Sequence, residues 1–535
     1  MDILDIMSGL RTGAIRIPDF QREIVWEADQ IEMLLDSVYK GYPLGMFLLW
    51  KTTGTLKERN PLDLPKMEST FEKNYLLDGQ QRAIAIYRVF TNNIVIRTGT
   101  SQVEYKAYLD LEKGVFNLYK KKLLDQGKVE LSESQVGLEK LIEVDMERKS
   151  VDFPGDSDFY KELIVQDKKQ WVRTLDKLKQ ALRDPVVSAV TVEGADLGAA
   201  CEIFVRLNRE GTPLSVVDIM VAKTYADRPR FNLREKLNEL NDDLEPTFGR
   251  LDGLTILECL ASCFSEGISE RDIVNSSDKL RQSWKEGTKA LGRAIDFLRG
   301  RSLVPVAKFL PFDVILASLT YFFYKVGKES LAQLGHLESY FWRASLSQRY
   351  IEGQNSKIRE DIGSMKGIIA GEAAPEYQIL LTTKMIKEQK LQFNSSISKA
   401  ILCFYATLGP RDIRTGEAIQ LSDCFASANA SQFHHVFPRG YLETMSKRKT
   451  YERDIKPFIN SVANICLITS LSNKVVGKRP PNLYLADFDG EIVKRALSSY
   501  LISGDSYEAL MRNEFRSFLT HRSSAILEAL RKKCS

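Results

Sequence analysis

No G-x-x-x-x-G-K-S/T loop occurs anywhere in the 535 residues, so nucleotide chemistry of the P-loop type is excluded. Long apolar runs are missing too. The longest, Val314–Tyr324, is bounded by Asp313 and Lys325 and falls far short of a membrane span. The N-terminal MDILDIMSGL has no basic segment ahead of an apolar run, so no secretory signal is expected and a cytoplasmic location is. Cysteine is sparse and odd in number, seven in all, with no C-x-x-C spacing. Cys259 and Cys263 share a helix face, but nothing nearby completes a zinc site, so reduced core thiols are expected. Internal repeats and low-complexity segments are absent. Histidine is scarcer still, at four, and two of the four are adjacent: His434 and His435.

What is present is a globular composition, 44% hydrophobic and 27% charged. A chain of 60.8 kDa exceeds one ordinary core and implies two or three domains. The net charge of +4 is unevenly distributed. Residues 401–535 hold 19 Lys and Arg against 13 Asp and Glu, or +6, which leaves −2 for residues 1–400. A mildly basic C-terminal part suits a phosphate backbone.

The N-terminal stretch mixes strands and helices. Ile31, Leu34, Leu35 and Val38 recur at helical spacing up to Gly41. Gly45–Trp50 and Asn74–Asp78 read as strands, the second breaking at Gly79 into a helix through Ile84, Tyr87 and Phe90. Val103–Leu111 and Gly114–Tyr119 read as a hairpin. Residues 120–184 are charged and largely helical in pattern, and Pro185–Val192 returns to a strand. A helix through Ala200, Ile203, Phe204 and Leu207 follows, and Ser215 with Asp218 resembles a capping box. Helical periodicity dominates from about 226 to 400, with breaks at Arg299-Gly300 and Ala370–Pro375.

Asp78–Arg82, DGQQR, stands at a strand-to-helix turn. A helix N-terminus offers unpaired N–H groups and partial positive charge to an anion, glycine permits close backbone approach, and arginine adds a planar fork. An ordinary polar turn has the same composition, so this motif alone decides nothing. Two more segments accompany it: Ile17–Trp26 (IPDFQREIVW) and Phe204–Ser215 (FVRLNREGTPLS). In that order the three resemble the N-terminal domain of GmrSD-type restriction proteins, of the ParB/sulfiredoxin-like group. The resemblance implies nucleoside triphosphate binding and hydrolysis and the sensing of modified DNA. It makes Gln21, Arg22, Asp78, Gly79, Gln80, Gln81, Arg82, Arg206 and Asn208 the candidate nucleotide-site residues.

Near the other end, Gln432–Tyr441 reads QFHHVFPRGY and Asn460–Lys474 reads NSVANICLITSLSNK. Paired histidines before V-F-P, followed by spaced asparagines, resemble the ββα-metal core of HNH nucleases. Aligned with H-I/V-x-P, His435 becomes the general base and His434 the first metal ligand. Asn464, before the apolar ICLI run, matches the central asparagine that holds the base and its strand, in preference to Asn460. Asn473 matches the last ligand, on the following helix. Lys474, Lys478 and Arg479 lie close enough in sequence to contact DNA phosphates, and the cluster Lys447-Arg448-Lys449 is equally a solvated loop. Many relatives carry a carboxylate where His434 stands. A neutral imidazole suits Mn²⁺, Ni²⁺ or Zn²⁺ better than Mg²⁺, so the cofactor is a divalent metal of open identity.

The expected fold is multi-domain α+β. It comprises a ParB/sulfiredoxin-like domain over residues 1–225, a helical spacer over 226–400 and an HNH domain with a helical tail over 401–535. The expected function is NTP-regulated, metal-dependent cleavage of modified or foreign phage DNA, without a membrane role and with homo-oligomerisation open. A nucleotide-switched ParB-like DNA-binding protein, and an HNH RNase acting in abortive infection, fit the same residues.

Overall fold

Ile31, Leu34, Leu35 and Val38 are all buried on one side of the helix Ala28–Lys40, which Gly41 terminates with a left-handed φ of 68°. The computed structural model describes the chain except residues 1, 20, 22–23, 54–57, 63–72, 99–100, 146–149, 153–160, 162, 164, 184–186, 197–198, 201–202, 204–214, 228–229, 302, 420–431, 449–453 and 535. The helix expected through Phe204 and Leu207 therefore lies largely outside the described residues. The chain divides into two compact units, Met1–Asn232 and Leu233–Ser535.

The N-terminal unit begins α1 (Ile3–Thr12), β1 (Ile15–Pro18), α2 (Ala28–Lys40), β2 (Met46–Thr52), β3 (Glu58–Arg59), β4 (Lys73–Asp78) and α3 (Gln80–Phe90). It continues with β5 (Ile94–Thr98), β6 (Ser101–Asp110), β7 (Val115–Lys120), β8 (Gln135–Gly137) and the two-stranded ribbon β9 (Glu143–Asp145) and β10 (Ser150–Asp152). Then come α4 (Lys169–Arg183), β11 (Ser188–Glu193), α5 (Val216–Thr224), β12 (Ala226–Asp227) and β13 (Arg230–Phe231). A mixed five-stranded sheet runs β11-β2-β4-β1-β3. Within it β4 is antiparallel to β2 and parallel to β1. Ile6 and Met7 of α1, Leu34 and Leu35 of α2, and Ile84 and Ile86 of α3 join Phe47 and Leu76 of the sheet in one core. Each such side chain contributes about 1.5–3 kcal/mol by leaving water.

The hairpin read across Glu112-Lys113-Gly114 is β6–β7, with Asp110 opposite Val115. The helical expectation for residues 120–184 holds for α4 but not for β8 or the β9–β10 ribbon. Strands of three residues are too short to impose a visible period of two on the sequence. Ser215 does cap α5, accepting from the Asp218 amide at 3.1 Å. Its partner differs from a capping box: the Asp218 carboxylate accepts from the Ser215 hydroxyl at 2.7 Å.

The C-terminal unit is mostly helical. Its central helix, α6 (Val314–Lys325), is the longest apolar run, buried on nearly every side from Val314 to Phe323. A helix apolar all round belongs in a core or a membrane; this one is packed among other helices of the unit. No helix among the described residues is long and apolar enough to cross a membrane. The described cysteines of this unit are all buried and free. Against these helices stands a small element of two strands and a helix: β14 (Gln432–His435), β15 (Ile465–Ile468) and α7 (Ser470–Val476). Phe433 of β14 packs edge-on against Phe393, with ring centroids 5.5 Å apart.

Candidate functional site

β14 and β15 pair antiparallel, with His434 opposite Cys466 and His435 opposite Ile465. Successive strand residues face opposite ways, so the adjacent histidines have different surroundings. His434 is only 5% exposed. Its ring is hydrogen-bonded to the Asn473 side chain on α7. Its Nε2 is buried without a hydrogen-bond partner among the described residues. Burial, and then the neighbouring His435, push the His434 imidazole down to about 4, with Asn473 and Asp412 opposing. It is thus neutral at physiological pH, the state in which an imidazole nitrogen binds a cation. An orphaned buried nitrogen costs free energy unless something fills it. The open Nε2 is the ring atom left for a divalent ion, while Asn473, at the other ring nitrogen, braces the imidazole and does not reach an ion at Nε2 in this arrangement. No cluster of three His, Cys, Asp or Glu side chains suited to a metal exists among the described residues, so His434 would share any ion with water and substrate oxygens.

His435 is half-buried, and burial holds its ring below the ordinary imidazole range. Its Nε2 lies 2.9 Å from Oδ1 of Asn460. An amide oxygen only accepts, so Nε2 carries the proton and Nδ1 keeps the lone pair.

Asn464, fully buried, does something else. Its Oδ1 accepts from the Phe437 amide at 2.9 Å, and its Nδ2 donates to the carbonyls of Phe437 at 3.2 Å and Ile459 at 2.9 Å. It ties the chain leaving β14 to the chain entering β15. The Arg522 guanidinium, also fully buried, donates to the carbonyls of Ala463 and Ile465 at 2.8 Å and Tyr500 at 3.2 Å. The Tyr484 and Tyr500 hydroxyls donate to the carbonyls of Val436 at 2.7 Å and Leu467 at 2.8 Å. Phe437 meets Phe515 and Phe518 with centroids 5.2 Å away. A short hairpin is marginal by itself, and these contacts fix it.

α7 is held by Asp412. The Asp412 Oδ1 accepts from the amides of Arg414 at 2.9 Å and Thr415 at 3.1 Å and from the Ser472 hydroxyl at 2.8 Å. Its Oδ2 accepts from the Thr469 amide at 2.7 Å. Burial alone would raise this carboxyl, but the Thr469, Arg414 and Thr415 amides and the Ser472 hydroxyl bring it below the usual range. The buried anion therefore anchors the turn of helix that presents Asn473. Lys474 and Lys478 are exposed beside it. Arg479 is occupied, paired with Asp487 and donating to the Val475 carbonyl at 2.9 Å.

In the N-terminal unit, Asp78 ends β4 and Gly79 caps α3 with φ at 91°. A Cβ on Gly79 would come within 2.6 Å of the Phe47 ring, so glycine is required there twice over. The Arg82 fork points to backbone: it donates to the carbonyls of Leu44 and, at 2.7 Å, Met46, and pairs with Asp78 at 3.2 Å. Gln81 Oε1 accepts from the amides of Val25 at 3.0 Å and Trp26 at 3.3 Å. Gln21, 2% exposed, donates to the Leu76 carbonyl. The first two motifs are thus knitted together, with Gln80 beside them on α3. Arg22, Arg206 and Asn208 lie outside the described residues.

Sequence reasoning passed over Asp412 and Arg522. Asp412 had a signal, since an aspartate four residues before Gly416 suggests an Asx turn. Arg522 had none, being one of several arginines in a charged terminal helix.

Comparison with known proteins adds two findings. The chain is 23% identical to an uncharacterized protein of Methanocaldococcus jannaschii, with 99% of this chain and 98% of that one aligned. Residues 3–225, nearly the whole N-terminal unit, match the family model of the N-terminal domain of GmrSD restriction endonucleases.

Proposed function

We propose that this protein is a metal-dependent DNA endonuclease of restriction type, its phosphodiester chemistry carried by the β14–β15–α7 element and regulated by a nucleoside triphosphate bound to the N-terminal unit. The observation that carries the catalytic part is the pairing of two unlike histidines. One is buried and neutral, with a nitrogen that has no partner among the described residues; its neighbour is half-buried with Nε2 engaged by Asn460.

In this reading His435 takes a proton from the attacking water, with Asn460 fixing its tautomer and ring. His434 would hold a divalent cation at Nε2, with water completing its shell and Asn473 bracing the ring from the other nitrogen; such a cation would supply charge stabilisation at the reacting phosphate. Asn464 and Arg522 keep the strands in register, and Asp412 keeps α7 in place. Exposed Lys474 and Lys478 meet backbone phosphates; Arg479 serves its helix and ion pair. DNA as substrate, modified or foreign, takes its support from the restriction endonuclease family whose N-terminal domain the chain matches over residues 3–225.

The nucleotide part takes its support from the Asp78–Gly79–Gln80 corner, where a glycine in a left-handed conformation opens a helix of 11 residues. Gln21, Gln81 and Arg82 shape that corner through backbone contacts. Plasmid and modified phage DNA should be cut by purified protein with Mn²⁺ or Mg²⁺, and not by His435→Ala. Cutting retained in His435→Ala overturns the assignment. Cleavage of RNA but no DNA would replace the substrate.

A further inference from the structure

α2, the β6–β7 turn and α4 line an open surface pocket of about 410 Å³ in the N-terminal unit, formed by none of the residues of the Asp78–Arg82 corner. Four cationic side chains line it, Lys40, Lys113, Arg173 and Lys177, against one carboxylate, Asp36. Two of these cations are balanced: Lys40 sits 2.8 Å from Asp36, and Lys113 3.6 Å from Asp110. Arg173 and Lys177 have no carboxylate partner among the described residues. They stand one helical turn apart on α4, where like charges repel and weaken the helix. An anion between them offsets that repulsion.

The walls are shaped as well as charged. The Lys177 ammonium rests over the Tyr39 ring at 4.5 Å from its centroid. Tyr39 is itself buried and edge-on to Phe116, at 6.0 Å. Gly114 closes the turn with φ at 67°, and a Cβ there would come within 3.0 Å of the Tyr39 hydroxyl. The volume is that of a small-ligand pocket. An arginine fork and a lysine point charge side by side match phosphoryl oxygens.

We infer that this cavity binds phosphate groups, of a nucleoside polyphosphate or of a polynucleotide backbone, through Arg173 and Lys177. The inference stands apart from the nuclease reading, because the cavity takes phosphate whether or not the chain cleaves anything.

The test uses the full-length protein, a labelled DNA duplex of about 20 base pairs and a fluorescent ATP analogue, read by anisotropy across a salt series. Arg173→Glu with Lys177→Glu should weaken at least one probe about tenfold or more, and inorganic pyrophosphate should compete for that probe. If the probe is the duplex, the slope of log affinity against log salt should fall by about 2, the sign of two lost phosphate contacts. Loss for the duplex alone names a backbone site; loss for the ATP analogue alone names a nucleotide site. Lys177→Arg should bind as the parent does. Both altered residues are exposed, so the unfolding transition should be unchanged. Unchanged affinity for both probes, or a duplex loss with an unchanged salt slope, overturns the proposal.

Discussion

Asn460 Oδ1 lies 2.9 Å from His435 Nε2, although 25 residues separate the two in the chain. Asn464, four residues further on, never touches that ring and instead clamps backbone at Phe437 and Ile459. Two asparagines that look interchangeable in sequence thus have divided roles.

That division is measurable. Asn460→Ala removes an exposed side chain, so stability should stay within about 0.5 kcal/mol of the parent. Cleavage should nonetheless fall about 10–100-fold as the ring loses its orientation. A rate equal to the parent's would show that Asn460 does not position His435.

Asn464→Ala should behave oppositely at the level of folding. It leaves a buried amide and two carbonyls unpaired, costing about 2–4 kcal/mol. Arg522→Met should likewise lower the melting temperature of the C-terminal unit, because three carbonyls lose their donor. Arg522→Lys should recover little, since a point charge cannot reproduce the planar fork. Calorimetry of each variant decides the matter.

Asp412→Asn keeps shape but removes a buried charge and replaces one acceptor oxygen with an NH2 that faces an N–H donor. Metal affinity, read by Mn²⁺ titration calorimetry without substrate, should weaken about 10–100-fold as α7 loosens around Asn473. Equal Mn²⁺ affinity in parent and variant would count against Asp412 as the anchor of that helix.

Within DGQQR, side chains with backbone partners should separate from Gln80. Arg82→Ala strips the Leu44 and Met46 carbonyls of their donor and should cost about 2–4 kcal/mol. Gln80, 6% exposed, should cost less stability on change to Ala than Arg82 does, while raising the KM for triphosphate. Wild-type triphosphate kinetics in Gln80→Ala would remove that residue from the nucleotide corner.

Glu258 gives a pH signature. Burial, with Asp313 and Asp252 nearby, raises its carboxyl to about 7. The folded state therefore holds this proton more tightly than the unfolded chain does. Its contribution is complete below about 4.5, declines as pH rises through 7, and is level above. After discounting for partial exposure, the loss is about 1–3 kcal/mol. Glu258→Gln should thus gain stability over the parent at pH 8 and not at pH 4, as followed by denaturant titration; a difference independent of pH would contradict the shift.

Sequence by itself determined the elements whose cause is local. Apolar spacing and Gly41 set α2, the apolar run set α6, and the V-F-P and ICLI segments flagged the strands beside the histidines. Residue identity also fixed which groups had the chemistry: an imidazole pair, an asparagine on a short helix, a glycine at a strand-to-helix turn. Tertiary structure decided which of those groups meet. The choice between Asn460 and Asn464 depends on which of them a chain 28 positions beyond Val436 brings back against β14, which no periodicity records. The inward turn of Arg82 depends on where the carbonyls of β2 fall. The anchoring of α7 depends on Asp412, 57 residues before Thr469. Local pattern is written in near neighbours, whereas hydrogen-bond partners across long loops are set by packing.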